Sequence, residues 1–391
     1  MTCLFVVAGE PSGDILGAEL IHGLRKQNPS LSFCGVGGPL IETAGAFHSI
    51  FPMTDLSHMG FGAIIARAPL FIRRFYETVR SIQQMQPAGL LTIDSTDFCL
   101  RLGKKIRSNK KTSHIPRIQC VPPPVWAWRP KQARTLVPAG TDHVLSLFPF
   151  EESFFSHMPY SFVGHPIMSS PKGCAELFWE KYGPKRPLIC LLPGSRPREI
   201  KKFWPILLET SRILRQHHPE LMVATVRAPG TESFWPPMGN DCLIVPSTDK
   251  HHLFAATTLA LAASGTVSIE LAYQGTPMIL GYKVPKPTEW LLRALLTGNH
   301  VGLINIISDQ PFVPEYLQGQ FNPECLAKGA LDLLNNPHIR AEQSKQSKTA
   351  MGQLWAGDSF QHLGAAAISK TLGIHCQDMD SEGSGQGKIA D

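Results

Sequence analysis

Four segments of this chain place small, acidic or basic residues where an apolar run gives way to a helical pattern. In the second half, Leu261-Ala262-Ala263 runs into Ser264-Gly265-Thr266 and then Val267 to Glu270. Small side chains let the backbone approach a phosphate, and the unpaired N–H groups of a helix's first turn carry roughly half a positive charge. Glu270, on that first turn, is placed to accept hydrogen bonds from two ribose hydroxyls. Taken alone, the segment also suits an ordinary corner with a surface glutamate. Leu191 to Ile200 repeats the design through Pro193-Gly194-Ser195-Arg196, with Arg196 able to clamp a diphosphate through two parallel hydrogen bonds. A solvated, capped helix start explains that segment equally well by itself. Together the two make a base-and-phosphate pocket at the carboxyl ends of adjacent strands, where open α/β sheets bind ligands.

The other two corners lie in the first half. Val7-Ala8-Gly9-Glu10-Pro11-Ser12-Gly13-Asp14 is neither a P-loop nor a G-x-G-x-x-G turn, so it specifies no nucleotide. Ser12 or Asp14 suits a helix cap, whereas Glu10 at a ligand-facing sheet edge suits a substrate contact. In Ile93-Asp94-Ser95-Thr96-Asp97-Phe98 an acid again ends a strand. A carboxylate there can take the proton of an attacking hydroxyl. Asp94 is the candidate base, and Asp97 caps the helix expected over Phe98 to Ile106.

Two further stretches are suggestive. Pro122-Pro123-Pro124 stiffens the loop that carries Val125-Trp126-Ala127-Trp128-Arg129, whose tryptophans and arginine can touch a sugar or a lipid head group or simply pack. From Met59-Gly60-Phe61 to Phe75, apolar residues including Leu70 and Phe71 alternate with Arg67, Arg73 and Arg74, around Pro69. Such a basic, apolar helix can lie at a membrane surface or pack into a core.

These corners need parallel strands to hold them. Short apolar runs at Leu4–Ala8, Phe33–Val36, Leu90–Ile93, Arg117–Val121 and His143–Leu147 alternate with helical patterns, and the rhythm restarts at Leu188–Leu192, Leu221–Thr225, Cys242–Val245, Leu259–Ala262 and Met278–Gly281. With 391 residues, 43% hydrophobic and 17% charged, the chain suits two α/β domains. Their expected bounds are 1–165 and 166–355, followed by a helix over 356–374 and a disordered Gly/Ser-rich tail over 375–391. Helical patterning after Ala341 extends to about Leu372. The net charge of +6 suits an acidic ligand or an anionic membrane, while zinc-finger spacing and aromatic-basic RNA signatures are lacking. Nine cysteines without a C-x-x-C pair read as structural thiols in a reducing, cytoplasmic setting. No run approaches the roughly 20 apolar residues that span a bilayer, so membrane contact is expected to be peripheral.

The ordered motifs from Ala8 to Gln318 resemble the lipid-A-disaccharide synthases, inverting glycosyltransferases of GT-B architecture, with two Rossmann-like domains facing a cleft. They comprise the Ala-Gly-Glu-x-Ser-Gly-Asp opening, Gly37-Gly38-Pro39, Met59-Gly60-Phe61, the Asp94 segment, Val125 to Arg129, Pro149-Phe150-Glu151 and Phe162-Val163-Gly164-His165. Pro193 to Arg196, Ala263 to Thr266, Tyr282-Lys283, Asn305 and Pro314-Glu315-x-x-Gln318 complete the series. The resemblance implies transfer from UDP-2,3-diacylglucosamine to the 6-hydroxyl of 2,3-diacylglucosamine 1-phosphate, without metal or cofactor, on the inner membrane's cytoplasmic face. It puts Asp94 and Glu10 at the reaction and Gly194, Ser195, Arg196, Ser264, Gly265, Thr266, Glu270 and Asn305 on UDP. Ser12, Met59, Trp128, Arg129, Lys283, Glu315 and Gln318 would line the cleft, and Phe61, Leu70, Phe71, Arg73 and Arg74 would face lipid. It further implies a homodimer with exchanged C-terminal segments. A UDP-N-acetylglucosamine 2-epimerase would share the architecture and UDP pocket but have no use for the lipid-facing stretch. The chain departs from the family in Pro122-Pro123-Pro124 for Ser-Pro-Ser, in Thr96 for proline, and at Pro11 and the tail.

Overall fold

The computed structural model describes residues 2–57, 64–125, 133–134, 136–227, 231–235, 241–283 and 300–374. The backbone divides into two compact units, Met1–Pro166 with Trp355–Asp391, and Ile167–Leu354.

In the first unit six parallel strands take the order β2-β1-β3-β4-β5-β6, where β1 is Cys3–Ala8, β2 Ser32–Val36, β3 Gly89–Ile93, β4 Arg117–Cys120, β5 His143–Ser146 and β6 Tyr160–Phe162. Successive side chains of a strand point to opposite faces, and a sheet covered on both sides needs apolar residues in both directions. Hence Leu4, Val6 and Ala8 pack beneath the Pro11–Gln27 and Phe360–Leu372 helices, while Phe5 and Val7 pack against the Ile64–Met85 and Thr96–Arg107 helices. The sixth strand was not expected: three half-buried residues at a sheet edge give too short a pattern.

The second unit repeats the plan as β12-β11-β10-β7-β8-β9, with β7 Leu188–Leu192, β8 Met222–Val226, β9 Leu243–Val245, β10 Leu259–Ala263, β11 Met278–Tyr282 and β12 Glu315–Leu317. Counted within the unit, this is the 3-2-1-4-5-6 order of dinucleotide-binding sheets. The first unit follows the related 2-1-3-4-5 order with one strand added. The order therefore reverses between β1 and β3 in one unit and between β7 and β10 in the other. All four candidate corners leave the sheets at these two switch points.

The single helical stretch expected after Ala341 is two helices. Pro337–Gly352 packs in the second unit and Phe360–Leu372 in the first. Gly357, at φ +95°, lies in the break, and the Ser359 hydroxyl caps the new helix at the His362 amide. That helix lies so close to Pro11–Gln27 that a side chain at Gly23 would collide with the Gln361 carbonyl. Gln361 also bonds Glu19, and His143 reaches Thr371 Oγ1 at 2.7 Å and Ser161 Oγ at 2.9 Å. Burial lowers the pKa of His143, helped by nearby Lys370.

Several motifs turn out to serve the fold. Asp14, 4% exposed, caps a neighbouring helix, Pro39–Gly45: its Oδ1 accepts from the Gly38 and Ile41 amides and its Oδ2 from Leu40. A side chain at Gly38 would strike this carboxylate, which accounts for the Gly37-Gly38-Pro39 segment. Asp14→Ala is expected to cost about 1–3 kcal/mol, since it strands three amides at a buried helix start; a urea midpoint equal to the parent's would refute the cap. Glu151 of Pro149-Phe150-Glu151 is 3% exposed and bonded by the Ser146 hydroxyl. His165 is held neutral, its pKa pushed down to about 4 by burial. All eight cysteines among the described residues are free thiols.

Candidate functional site

At the first switch point β1 and β3 pair Ala8 with Ile93, so Gly9-Glu10 and Asp94-Ser95 leave the sheet side by side. A side chain at Gly9 would collide with Ser95 Oγ, and only glycine allows this approach. Asp94 and Ser95 hold left-handed angles of φ +53° and +42°, uncommon for residues with a Cβ and costly enough to persist only where surrounding structure enforces them. The result is a half-buried carboxylate with both oxygens oriented. Asp94 Oδ2 accepts from the exposed Ser12 hydroxyl at 3.1 Å and Oδ1 from the Ser95 amide at 2.9 Å. Its negative charge adds to burial in raising the pKa of Cys120, to about 12, and of Cys99. Glu10 is half-buried and its carbonyl accepts from the Asp14 amide that opens the helix. Asp97 does not cap the helix as expected: the helix begins at Thr96 with Ser95 at the N-cap, and Asp97 stands exposed inside its first turn, where an acid still suits the helix dipole.

Met59, Phe61, Trp126, Trp128 and Arg129 lie outside the described residues. The apolar, basic helix is continuous from Ile64 to Met85 through Pro69. Its phase differs from the expected one. Phe71 packs edge-on against Phe98 with centroids 5.4 Å apart, and Arg74 bonds Asp55 and Glu77 at 2.8 Å each and lies over the Phe51 ring. Leu70 is half-buried. The outward face is instead Pro69, Ile72, Arg73, Tyr76 and Arg80, with Ile72 and Tyr76 more than half exposed. Phe71 and Arg74, expected toward lipid, thus face protein, and Arg73 is exposed.

At the second switch point β7 and β10 pair Leu192 with Ala262, so the two glycine-bearing turns emerge together. Gly194 takes φ +101°, and a side chain there would meet Glu199. The Arg196 amide bonds Glu199 Oε2 at 3.4 Å, and the guanidinium, 74% exposed, lies 3.6 Å from the same carboxylate. Burial raises the pKa of Glu199, against the pull of Arg196. Ser195 and Thr266 are exposed. Ser264 Oγ donates to the Val301 carbonyl at 3.2 Å, and Ser268 Oγ to Gly265 at 2.8 Å. The amides of Gly265 and Thr266 make no hydrogen bond among the described residues, leaving donors at the start of the Val267–Gln274 helix. Lysines join them: Lys202 Nζ bonds the Lys283 carbonyl at 2.7 Å, and its pKa is lowered by burial and then by the Lys283 charge. Neighbouring ammonium groups favour a bound anion. Lys202 was missed in the sequence, although it stands on the helix that Arg196 opens.

Glu270 is half-buried, and its Oε2 lies 2.5 Å from Lys250 Nζ, a partner twenty residues upstream that spacing alone does not suggest. Asn305, expected on the nucleotide, is fully buried: its amide nitrogen donates to the Val313 carbonyl and Glu315, and its oxygen accepts from the Val313 amide. Glu315 in turn accepts from the Val301 and Gly302 amides at 2.9 Å. These two residues buckle a loop onto the Ser264 turn and bound a 720 Å³ cavity with His300, Asp309 and Leu317. Gln318 ends β12 at φ +53°.

A sequence profile of the lipid-A-disaccharide synthetase family matches residues 4–362. The lipid-A-disaccharide synthase of Granulibacter bethesdensis is 39% identical over 397 residues, covering 95% of this chain and 98% of that protein. That of Rhodospirillum centenum is 37% identical, covering 87% of each. Among solved structures, a Staphylococcus aureus MnaA–UDP complex superposes with TM-score 0.61 at 12% identity over 96% of this chain and 98% of that one. The Neisseria meningitidis UDP-GlcNAc 2-epimerase bound to UDP-GlcNAc gives 0.60 at 10%, over 95% and 99%. At such identities the superpositions show the shared GT-B fold alone. The sequence matches say more: the chain belongs to the lipid-A-disaccharide synthase family, UDP-sugar glycosyltransferases of lipid A biosynthesis.

Proposed function

We propose that this chain transfers the diacylglucosaminyl group of UDP-2,3-diacylglucosamine to the 6-hydroxyl of 2,3-diacylglucosamine 1-phosphate, with Asp94 as the base. The acceptor oxygen attacks the anomeric carbon as Asp94 takes its proton; the bond to the diphosphate breaks on the opposite side, so the configuration inverts to β(1→6) and UDP departs. The carrying observation is the Asp94 carboxylate itself, held at a switch point by Ser12 and Ser95 with both oxygens aimed. Glu10 beside it is the second acidic contact to the acceptor. In the other unit, the open Gly265 and Thr266 amides, Arg196, Lys202 and Lys283 meet the charge that develops on the leaving diphosphate. Lys250 holds one oxygen of Glu270 and leaves the other for the ribose.

The test supplies purified protein with both lipid substrates and follows UDP and disaccharide together. Stoichiometric release of both is expected only when acceptor is present. UDP release without acceptor, or conversion of UDP-N-acetylglucosamine to its C2 epimer, would overturn the proposal.

Acylated substrates require access from a lipid surface, and no helix among the described residues is long and apolar enough to cross a membrane. We assign the Ile72, Arg73, Tyr76 and Arg80 face to peripheral docking on the anionic inner membrane. Ile72 and Tyr76 would enter the interface while the arginines meet phosphate. Replacing both Ile72 and Tyr76 with Asp is expected to reduce binding to phosphatidylglycerol vesicles at least ten-fold with little change in Tm, because both are more than half exposed. Undiminished binding would remove this face from contention.

A further inference from the structure

The strand next to the first switch point also ends in a left-handed backbone. Val121, just past β4, has φ +58°, and a β-branched residue in that region is a genuine outlier. Two adjacent parallel strands, β3 and β4, thus both end in left-handed turns. The turns take the Asp94 and Val121 carbonyls out of the ladder, and a buried carbonyl without a partner costs about 1–3 kcal/mol.

One side chain answers all of them. Gln119, 2% exposed on β4, directs its amide nitrogen to the carbonyls of Cys120 and Val121 at 3.1 Å and of Asp94 at 3.4 Å. Its oxygen accepts from the buried Thr92 hydroxyl at 2.7 Å, closer than the Ile118 carbonyl, which lies 3.1 Å from the same hydroxyl. That assigns the amide's orientation, since only the NH₂ end can donate toward carbonyls, its two hydrogens serving Cys120 and Val121 at 3.1 Å with Asp94 sharing one of them at 3.4 Å, and only the carbonyl end can accept from Thr92. The Asp94 amide closes the circuit by donating to the Cys120 carbonyl at 3.0 Å. The buried network is satisfied at both ends, the condition under which such networks rigidify a site.

We propose that Gln119 is a positioning residue for glycosyl transfer: its amide ties the Asp94 turn to the Val121–Pro124 turn and so fixes the base against the loop that carries Val125. The inference rests on the reading of Asp94 as base. Thr92 is the second member of the device. The tie spans the helix start that follows Asp94 on one side and the Pro122-Pro123-Pro124 segment on the other.

The test is a double-mutant cycle on the full-length protein. Gln119→Met keeps the volume and removes both amide functions. It is expected to lower kcat 10- to 100-fold, the cost of displacing a reacting group by about 1 Å, with donor KM and UDP affinity within two-fold of the parent. In an Asp94→Asn background the same change is expected to cost no more than two-fold further, because a misplaced base cannot matter once the base is gone. An equal loss in both backgrounds would show general damage and overturn the proposal, as would parental kcat in Gln119→Met or a matching loss of UDP affinity. Should Gln119→Met fail to fold, Thr92→Val removes only the hydroxyl that orients the amide; a 3- to 10-fold loss of kcat with the same non-additivity is expected, and none would refute the device. The two readings fail separately: near-parental turnover in Asp94→Asn removes the base, whereas near-parental turnover in Gln119→Met beside an inactive Asp94→Asn removes Gln119.

Discussion

Asp94→Asn is expected to lower kcat by about 10²–10⁴-fold, the range for losing a positioned general base, while leaving UDP affinity and Tm near the parental values. The substitution is unusually clean at this position. An Asn oxygen can still accept from the Ser95 amide, and the Ser12 hydroxyl can rotate to accept from the new NH₂, so the left-handed turn keeps its side-chain bonds. Only the ability to take a proton is lost. Steady-state rates with both lipids, together with a UDP titration, separate the cases. A fall confined to kcat and kcat/KM marks an interaction made in the transition state. Turnover within a few-fold of the parent would exclude Asp94 as base and turn attention to Glu10, the other carboxylate leaving the sheet beside it.

The second large effect concerns glycines. Gly265→Val is expected to weaken UDP binding by about 100-fold, ~2.7 kcal/mol, in a protein whose Tm does not change. Among the described residues nothing requires glycine there: a Cβ would meet none of their atoms within 4 Å, and the backbone takes no left-handed angle. What a branched side chain would fill is the space in front of two open helix-start amides, where a phosphate must approach closely. Gly194 provides the contrast. Its φ of +101° and its proximity to Glu199 make glycine a demand of the fold itself, so Gly194→Ala should lower both Tm and UDP affinity. Isothermal titration with UDP and thermal melts of the two variants give the comparison. Parental affinity in Gly265→Val would dismiss the turn as a phosphate site.

Much of the architecture could be read from the chain because parallel strands buried on both faces are continuous apolar runs, and ten of them stand out. The two missed strands, β6 and β12, are three half-buried residues each, with no run to see. The candidate corners were legible for the same reason, since a strand that ends in Gly9-Glu10, Asp94, Gly194 or Ser264-Gly265 announces itself by a change of residue type. What supports them was not. Gln119 bonds residues on its own and the neighbouring strand, Asp14 caps a helix other than its own, and Lys250 finds Glu270 across twenty residues; such partners exist only once the chain is folded. Asn305 shows the reverse error, a residue singled out as a ligand contact whose amide is spent on Val313 and Glu315. The helix from Ile64 shows that composition reveals amphipathicity but not its phase: Phe98 on the next helix decides that Phe71 turns inward and Ile72 outward.

The Phe360–Leu372 helix has a consequence for the order of synthesis. It completes the first unit, covering Leu20 and Gly23 and inserting Leu372 where a side chain at Gly89 would stand. A ribosome therefore delivers the whole of Ile167–Leu354 before it delivers the last piece of the unit it began with. The half translated first is the half finished last, and the nascent chain must keep an uncovered apolar helix from aggregating until its final turns emerge. A stop codon shortly before Ser359 would spare the second unit and leave the first one unfinished.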